Sequence, residues 1–97
     1  MRDLNELSIF TALADEMSFT RAADVLEISK AAVSKAITRV ETRLGVRLFE
    51  RSTRRLRLTE AGEIYLDYAR RAIDEARGGE TAVAKLNETP RDRKSVV

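Results

Sequence analysis

Lys30, Ala31, Ser34, Lys35, Thr38 and Arg39 recur at helical spacing, so on a helix they point outward together as one face of small, hydroxylic and basic side chains. That chemistry suits phosphate oxygens and base edges, and the face is short enough to enter a groove. A second basic group, Arg51, Arg54 and Arg55, lies in a segment patterned as a hairpin, and arginines crowded on a protruding loop suit a narrow, strongly negative minor groove. The alternative is a solvated hairpin with incidental arginines, although packed like charges repel unless something anionic arrives. Ser18 and Thr20 at the start of one short helix, Ser29 ahead of the next, and Ser52 and Thr53 in the hairpin turn complete the candidate DNA-binding set. Two roles stay open for Ser29: capping the helix that follows, or reaching a phosphate.

The composition narrows the chemistry. There is no cysteine and no histidine. The ligands of a structural zinc site and the side chains of Cys/His or Ser/His nucleophilic catalysis are therefore missing. Carboxylates are plentiful, but the sequence places no pair in an evident cleft, and the serines lack a candidate base. The expectation is a non-enzyme with no cofactor and no metal. No run of about eighteen apolar residues and no signal-peptide pattern occurs, so no membrane partner is expected and the expected location is the cytoplasm.

The net charge of +2 is small, but its distribution along the chain is uneven. Residues 18–58 carry ten Lys/Arg against four acids, whereas residues 1–17 carry one against four and residues 59–97 seven against eight. A local positive field of this kind favours a polyanion, and nucleic acid is the commonest one. Basic residues that merely solubilise helix faces are the competing explanation.

The elements that must position these groups follow from periodicity. Residues 3–17 place Leu4, Leu7, Phe10, Leu13, Ala14 and Met17 on one side of a support helix, with Asp3 and Glu6 near its N-terminal end and an acidic polar face. Ser18 caps a short helix, Phe19 to Leu26, whose inner side is Phe19, Ala22, Ala23 and Leu26. Glu27-Ile28-Ser29 forms the turn, with Ile28 expected to plug into the core. The next helix runs from Lys30 to Gly45 on a stripe of Val33, Ala36, Ile37, Val40 and Leu44, and Gly45 suits a left-handed stop. Residues 46–51 and 56–58 alternate around Ser52-Thr53-Arg54-Arg55, a hairpin without Gly or Asn to set its turn type.

Thr59 can cap a last helix, with Glu60 and Glu63 in its first turn. Tyr65, Ala69, Ala72, Ala76, Gly79, Val83 and Leu86 then follow at spacings of four and three, a seam of small residues along which a second copy could lie closely. Gly78-Gly79 could break or hinge this helix, yet the seam keeps its phase across the pair, which favours continuity. From Asn87 the composition turns to that of a linker, with Pro90 as a stop, and Lys94 to Val97 fit a following strand or an expression remnant. Residues 1–58 thus read as one domain (its two-helix unit at about 18–44 and its hairpin at about 46–58), 59–87 as a linker and dimerisation helix, and 88–97 as linker or disordered tail.

Three stretches, ELSIFTALADEMSFTRAADVL, AAVSKAITRVETRLGVRLFERS and RLTEAGEIYLDYARR, resemble the DNA-binding end of the LysR-type transcriptional regulators over about residues 4–71. The resemblance implies a mainly α fold, a winged helix-turn-helix with a three-helix core and a small β-hairpin wing, followed by a long dimerising linker helix. It also implies DNA bound with the second helix of the motif in the major groove. By the same resemblance, base and phosphate contacts fall on Ser29, Lys30, Ala31, Ser34 and Lys35, and a wing contact on Arg51. Members of the family usually continue into an effector-binding domain; the chain ends before one could form, so no small-molecule effector is expected for it. The family often has Gln-Pro in place of Lys30-Ala31 and Arg-Gln in place of Lys35-Ala36. Lysine is a flexible point charge where Arg and Gln make planar bidentate contacts, so base preference should differ, and Lys30 and Lys35 are open to phosphate or base contact.

The reading is therefore a homodimeric, sequence-specific binder of double-stranded DNA with inverted half-sites, with a tetramer open to a full-length protein. A helical module whose seam docks on a different protein is the alternative from another class. Double-stranded RNA fits less well, because the deep narrow groove of A-form RNA does not admit a helix.

Overall fold

In the computed structural model, which describes residues 4–52 and 54–88, four helices and one two-stranded sheet follow in the order α1 (Leu4–Glu16), α2 (Phe19–Leu26), α3 (Lys30–Leu44), β1 (Phe49–Arg51), β2 (Leu56–Leu58) and α4 (Glu60–Glu88). Local chemistry sets each boundary. Ser18 is extended and its hydroxyl oxygen accepts from the Arg21 amide, which caps α2. Glu27 ends α2 in the left-handed region at φ 60°, and two residues later the Ser29 hydroxyl accepts from the Ala32 amide to start α3. Gly45, at φ 74°, closes α3 by donating its amide to the Glu41 carbonyl.

The helices pack through the faces that periodicity predicts. Leu7, Phe10, Leu13 and Ala14 of α1, Ala22 and Ala23 of α2, and Val33, Ile37 and Val40 of α3 form one core with Leu48 and Phe49. Phe10 is its centre, meeting the rings of Phe49 and Tyr65 edge-on at 5.5 and 5.1 Å. Three apolar residues depart from the expected inner positions, Met17, Ile28 and Leu44, which are exposed, as is Val46. Met17 and Ile28 lie beyond the ends of α1 and α2, and Leu44 and Val46 flank the left-handed Gly45, so the chain turns away from the core at each place.

The hairpin is shorter than its alternating pattern. Its ladder pairs Phe49 with Leu58 and Arg51 with Leu56, and residues 46–48 lie outside it. The cause is Glu41, a buried carboxylate on α3 whose Oε2 accepts from the amides of Leu48 (2.8 Å) and Phe49 (3.2 Å). Those amides are tied to a helix, so consecutive residues Leu48 and Phe49 both turn inward where a strand would alternate. At the tip, the Ser52 hydroxyl accepts from the amides of Arg54 and Arg55 and donates to the Arg55 carbonyl, which supplies the turn chemistry that Gly or Asn would otherwise provide.

Thr59 joins wing to α4. Its hydroxyl donates to the Arg47 carbonyl and accepts from the Gly62 amide, which is the expected N-cap. Helix α4 is continuous through Gly78-Gly79. Its first half lies on α1 through Tyr65, Leu66, Ala69 and Ile73, with an Arg70–Asp15 ion pair at 2.6 Å beside them. The remainder projects, and the molecule is 59 Å along its longest axis.

Two glycines give opposite expectations. A Cβ on Gly62 would lie 2.1 Å from the Leu48 carbonyl oxygen, so Gly62→Ala should cost about 1–3 kcal/mol in calorimetric unfolding. Nothing lies within 4 Å of a Cβ on Gly78, so Gly78→Ala should stabilise the helix by about 0.5–1 kcal/mol. Glu41→Ala leaves two amides without their carboxylate and should lower unfolding free energy by about 2–4 kcal/mol, measured by urea titration.

Candidate nucleic-acid interface

The outward face of α3 follows from its inner one. With Val33, Ala36, Ile37 and Val40 buried, Lys30, Ala31, Lys35, Thr38 and Arg39 are exposed and Ser34 is half-buried at the margin. Among the described residues no carboxylate pairs with Lys30 or Lys35, so their charges face solvent unneutralised. Ser18 and Ser29 each use their hydroxyl as a helix cap, and Thr20 is exposed on the first turn of α2.

The wing residues divide. Arg54 and Arg55 are exposed at the tip, and Ser52 spends its hydroxyl on the turn. Thr53, also expected in this set, lies outside the described residues. Arg51 is not at the tip. Its guanidinium carbon stands 4.9 Å from the centroid of the Phe19 ring, so the arginine bridges from the hairpin to the start of α2.

Between α3 and the wing runs an open cleft of about 560 Å³ lined by Thr38, Glu41, Thr42, Gly45, Val46, Arg47 and Arg51. It brings together one residue from the α3 face, one from the wing arginines, and two that spacing did not single out, Thr42 and Arg47. Thr42 lies one turn beyond Thr38, so extending the face by four residues finds it. Arg47 is held 3.7 Å from Glu41 and could be found only from the fold.

The α4 seam is displaced from its expected line. Tyr65 and Ala69 belong to the core of their own subunit, and Ala69 is only 2% exposed. Ala72, Ala76, Gly79, Val83 and Leu86 are exposed as expected. The ridge is continued instead by Ile64 and Tyr68, 57% and 61% exposed, with Arg71 stacked over the Tyr68 ring. Ile64, Tyr68, Ala72 and Ala76 are each four apart, a pattern masked by the equally apolar Tyr65 and Ala69 one position on.

Among the described residues no group of three or more His, Cys, Asp or Glu is placed to hold a metal ion, and no helix is long and apolar enough to cross a membrane.

Comparison with known proteins agrees with this geometry. Residues 4–63 match the model of the bacterial regulatory helix-turn-helix proteins of the lysR family. An HTH-type transcriptional regulator of Xanthomonas campestris is 43% identical over 89 residues, 92% of this chain and 26% of that protein. The regulator CrgA of Neisseria meningitidis is 40% identical over 91 residues, 94% of this chain and 30% of the relative. The chain thus spans about a quarter to a third of the length of these relatives. Among solved structures, a BenM DBD in complex with catB site 1 DNA superposes with a TM-score of 0.84 at 30% identity, covering 89% of this chain and 97% of that one. A CbnR DBD–DNA complex gives 0.78 at 34% identity, covering 88% and 99%. The four helices and antiparallel hairpin are those of a winged helix-turn-helix with a long C-terminal helix, and the chain belongs to the LysR family of bacterial regulatory helix-turn-helix proteins.

Proposed function

We propose that this chain is the DNA-binding part of a transcription regulator, a non-enzyme that works in the bacterial cytoplasm as a homodimer on double-stranded DNA with inverted half-sites. Helix α3 enters the major groove through Lys30, Ala31, Ser34, Lys35, Thr38 and Arg39, and the wing arginines meet the minor groove. The observation that carries the reading is the cleft between α3 and the wing, where hydroxyls at Thr38 and Thr42 and the guanidinium groups of Arg47 and Arg51 border one open channel on the helix whose Lys30 and Lys35 have no carboxylate partner among the described residues. The matched BenM and CbnR structures are DNA complexes, which supports the same placement.

Residues 4–58 form the recognition unit under this reading, α4 the dimerising linker, and residues 89–97, which lie outside the described residues, a tail. The second copy lies along the exposed ridge from Ile64 and Tyr68 through Ala72, Ala76, Gly79, Val83 and Leu86. Small side chains there permit close approach of two helices, and tethering two α3 helices multiplies affinity through effective concentration.

Two measurements test it. If each subunit covers three to five phosphates, electrophoretic titration should show affinity falling about 10³–10⁵-fold between 50 and 200 mM salt. Salt-independent binding, or no binding to any duplex, would sink the proposal. Arg51→Ala should leave the fold intact, since the side chain is exposed, and reduce the logarithmic salt slope by about one per subunit. For the dimer, Ala76→Glu should convert the sedimenting species to a monomer, while an unchanged sedimentation coefficient excludes the ridge as the contact.

A further inference from the structure

Glu6 is the one acid of α1 that turns inward. Periodicity places it on the acidic solvent face of the support helix, yet it is only 7% exposed. Its carboxylate lies against the C-terminal half of α3. Oε1 accepts from Arg43 Nη1 at 3.0 Å, and Oε2 stands 3.9 Å from Arg39 Nη1. A nearly buried carboxylate requires such partners, because desolvation without compensation is costly. The two arginines differ in how firmly they are held. Arg43 makes a hydrogen bond with its side chain 26% exposed, whereas Arg39 is at ion-pair distance with 59% of its side chain exposed.

The consequence is an uneven field along α3. Lys30 and Lys35, toward its start, have no carboxylate partner among the described residues, while the charges at Arg39 and Arg43 share one. We propose that Glu6 is a positioning residue for DNA recognition, which holds Arg43 in place, restrains Arg39 on the flank of α3 and neutralises part of its charge. The inference rests on the DNA-binding reading above. A phosphate approaching that flank competes with Glu6 for Arg39, so nonspecific attraction at the C-terminal half of α3 is reduced. The balance of charge-driven contact shifts to the N-terminal half, where Lys30 and Lys35 stand beside short side chains suited to base edges.

The test is a set of variants titrated against a random-sequence duplex and against a duplex selected from a random pool, each at two salt concentrations. Glu6→Gln keeps the shape and an acceptor for Arg43 but removes the charge. It should raise affinity for the random duplex about three- to tenfold, steepen the salt slope and narrow the ratio between selected and random duplexes. In an Arg39→Ala background the same substitution should change little. Glu6→Gln protein that folds but keeps wild-type affinity and slope, or shows the full change without Arg39, overturns the assignment. Should Glu6→Gln fail to fold, the comparison of Arg39→Gln with Lys35→Gln decides the matter. The shielded Arg39 should cost less random-duplex affinity than the unpaired Lys35, and an equal or larger loss at Arg39 overturns the assignment. Wild-type chain that binds no duplex overturns the DNA-binding reading and this inference with it, whereas wild-type binding with inert Glu6 variants removes this inference alone.

Discussion

One buried carboxylate ties the helical part of this chain to its wing. Glu41 lies on α3, next to the buried Val40, and its Oε2 receives the amides of Leu48 and Phe49. A charged acceptor makes each of these bonds stronger than one to a neutral carbonyl, and both are shielded from water. Everything C-terminal depends on the result. With Leu48 and Phe49 held, the Phe49 ring reaches Phe10, the ladder begins in the register that sets Phe49 opposite Leu58, and Thr59 donates its amide to the Leu48 carbonyl before capping α4. The same helix carries the Lys30–Arg39 face outward. The wing and the outward face are therefore placed relative to each other by bonds from two backbone amides to one side-chain carboxylate, seven and eight residues earlier in the chain.

Glu6 and Glu41 are the two buried acids of the described chain, and both serve α3. Glu41 acts chiefly on backbone amides and shapes the turn, with Arg47 at ion-pair distance beside it. Glu6 acts on side-chain cations and shapes the field. A helix with four basic residues thus lies against a support helix of acidic character, and opposite charge draws the two together. The acid of α1 that faces α3 is used as a partner for Arg43 and Arg39, while Asp15, farther along α1, pairs with Arg70 of α4. Helix α1 therefore holds α3 and α4 by ion pairs as well as by the apolar stripe centred on Phe10.

Much of this fold was legible in the sequence because local rules agreed with the global packing. Ser18, Ser29, Gly45 and Thr59 mark helix boundaries by their own chemistry, and the α3 stripe leaves its outward face by subtraction. What was not legible depends on side-chain contacts between elements, which periodicity within one element does not reveal. The shortened hairpin reflects Glu41, the inward turn of Glu6 reflects two arginines more than thirty positions away, and the stacking of Arg51 on Phe19 joins a wing to a helix start. The line of the α4 seam was misplaced at its beginning for a related reason. Tyr65 and Ala69 satisfy the heptad spacing equally well as an inner face against α1 or as an outer face against a second copy, and periodicity alone does not say which side meets which neighbour.

That ambiguity has a physical meaning for α4. A helix of 29 residues cannot bury more than one stripe against a support helix of 13, so its first turns and its last turns must solve different problems. Over Tyr65 to Ile73 the inner stripe is consumed by α1, and the neighbouring stripe of Ile64, Tyr68 and Ala72 is left outside. Beyond Ile73 every residue to Asn87 is exposed, and Ala76, Gly79, Val83 and Leu86 stand clear. An open apolar ridge that continues in phase across both halves is suited to an element that lies along it. Under the proposed dimer the covering element is the same ridge of a second copy. Because α4 is anchored to the core at Thr59 and through the Arg70–Asp15 pair, its direction under that dimer sets the separation of the two α3 helices.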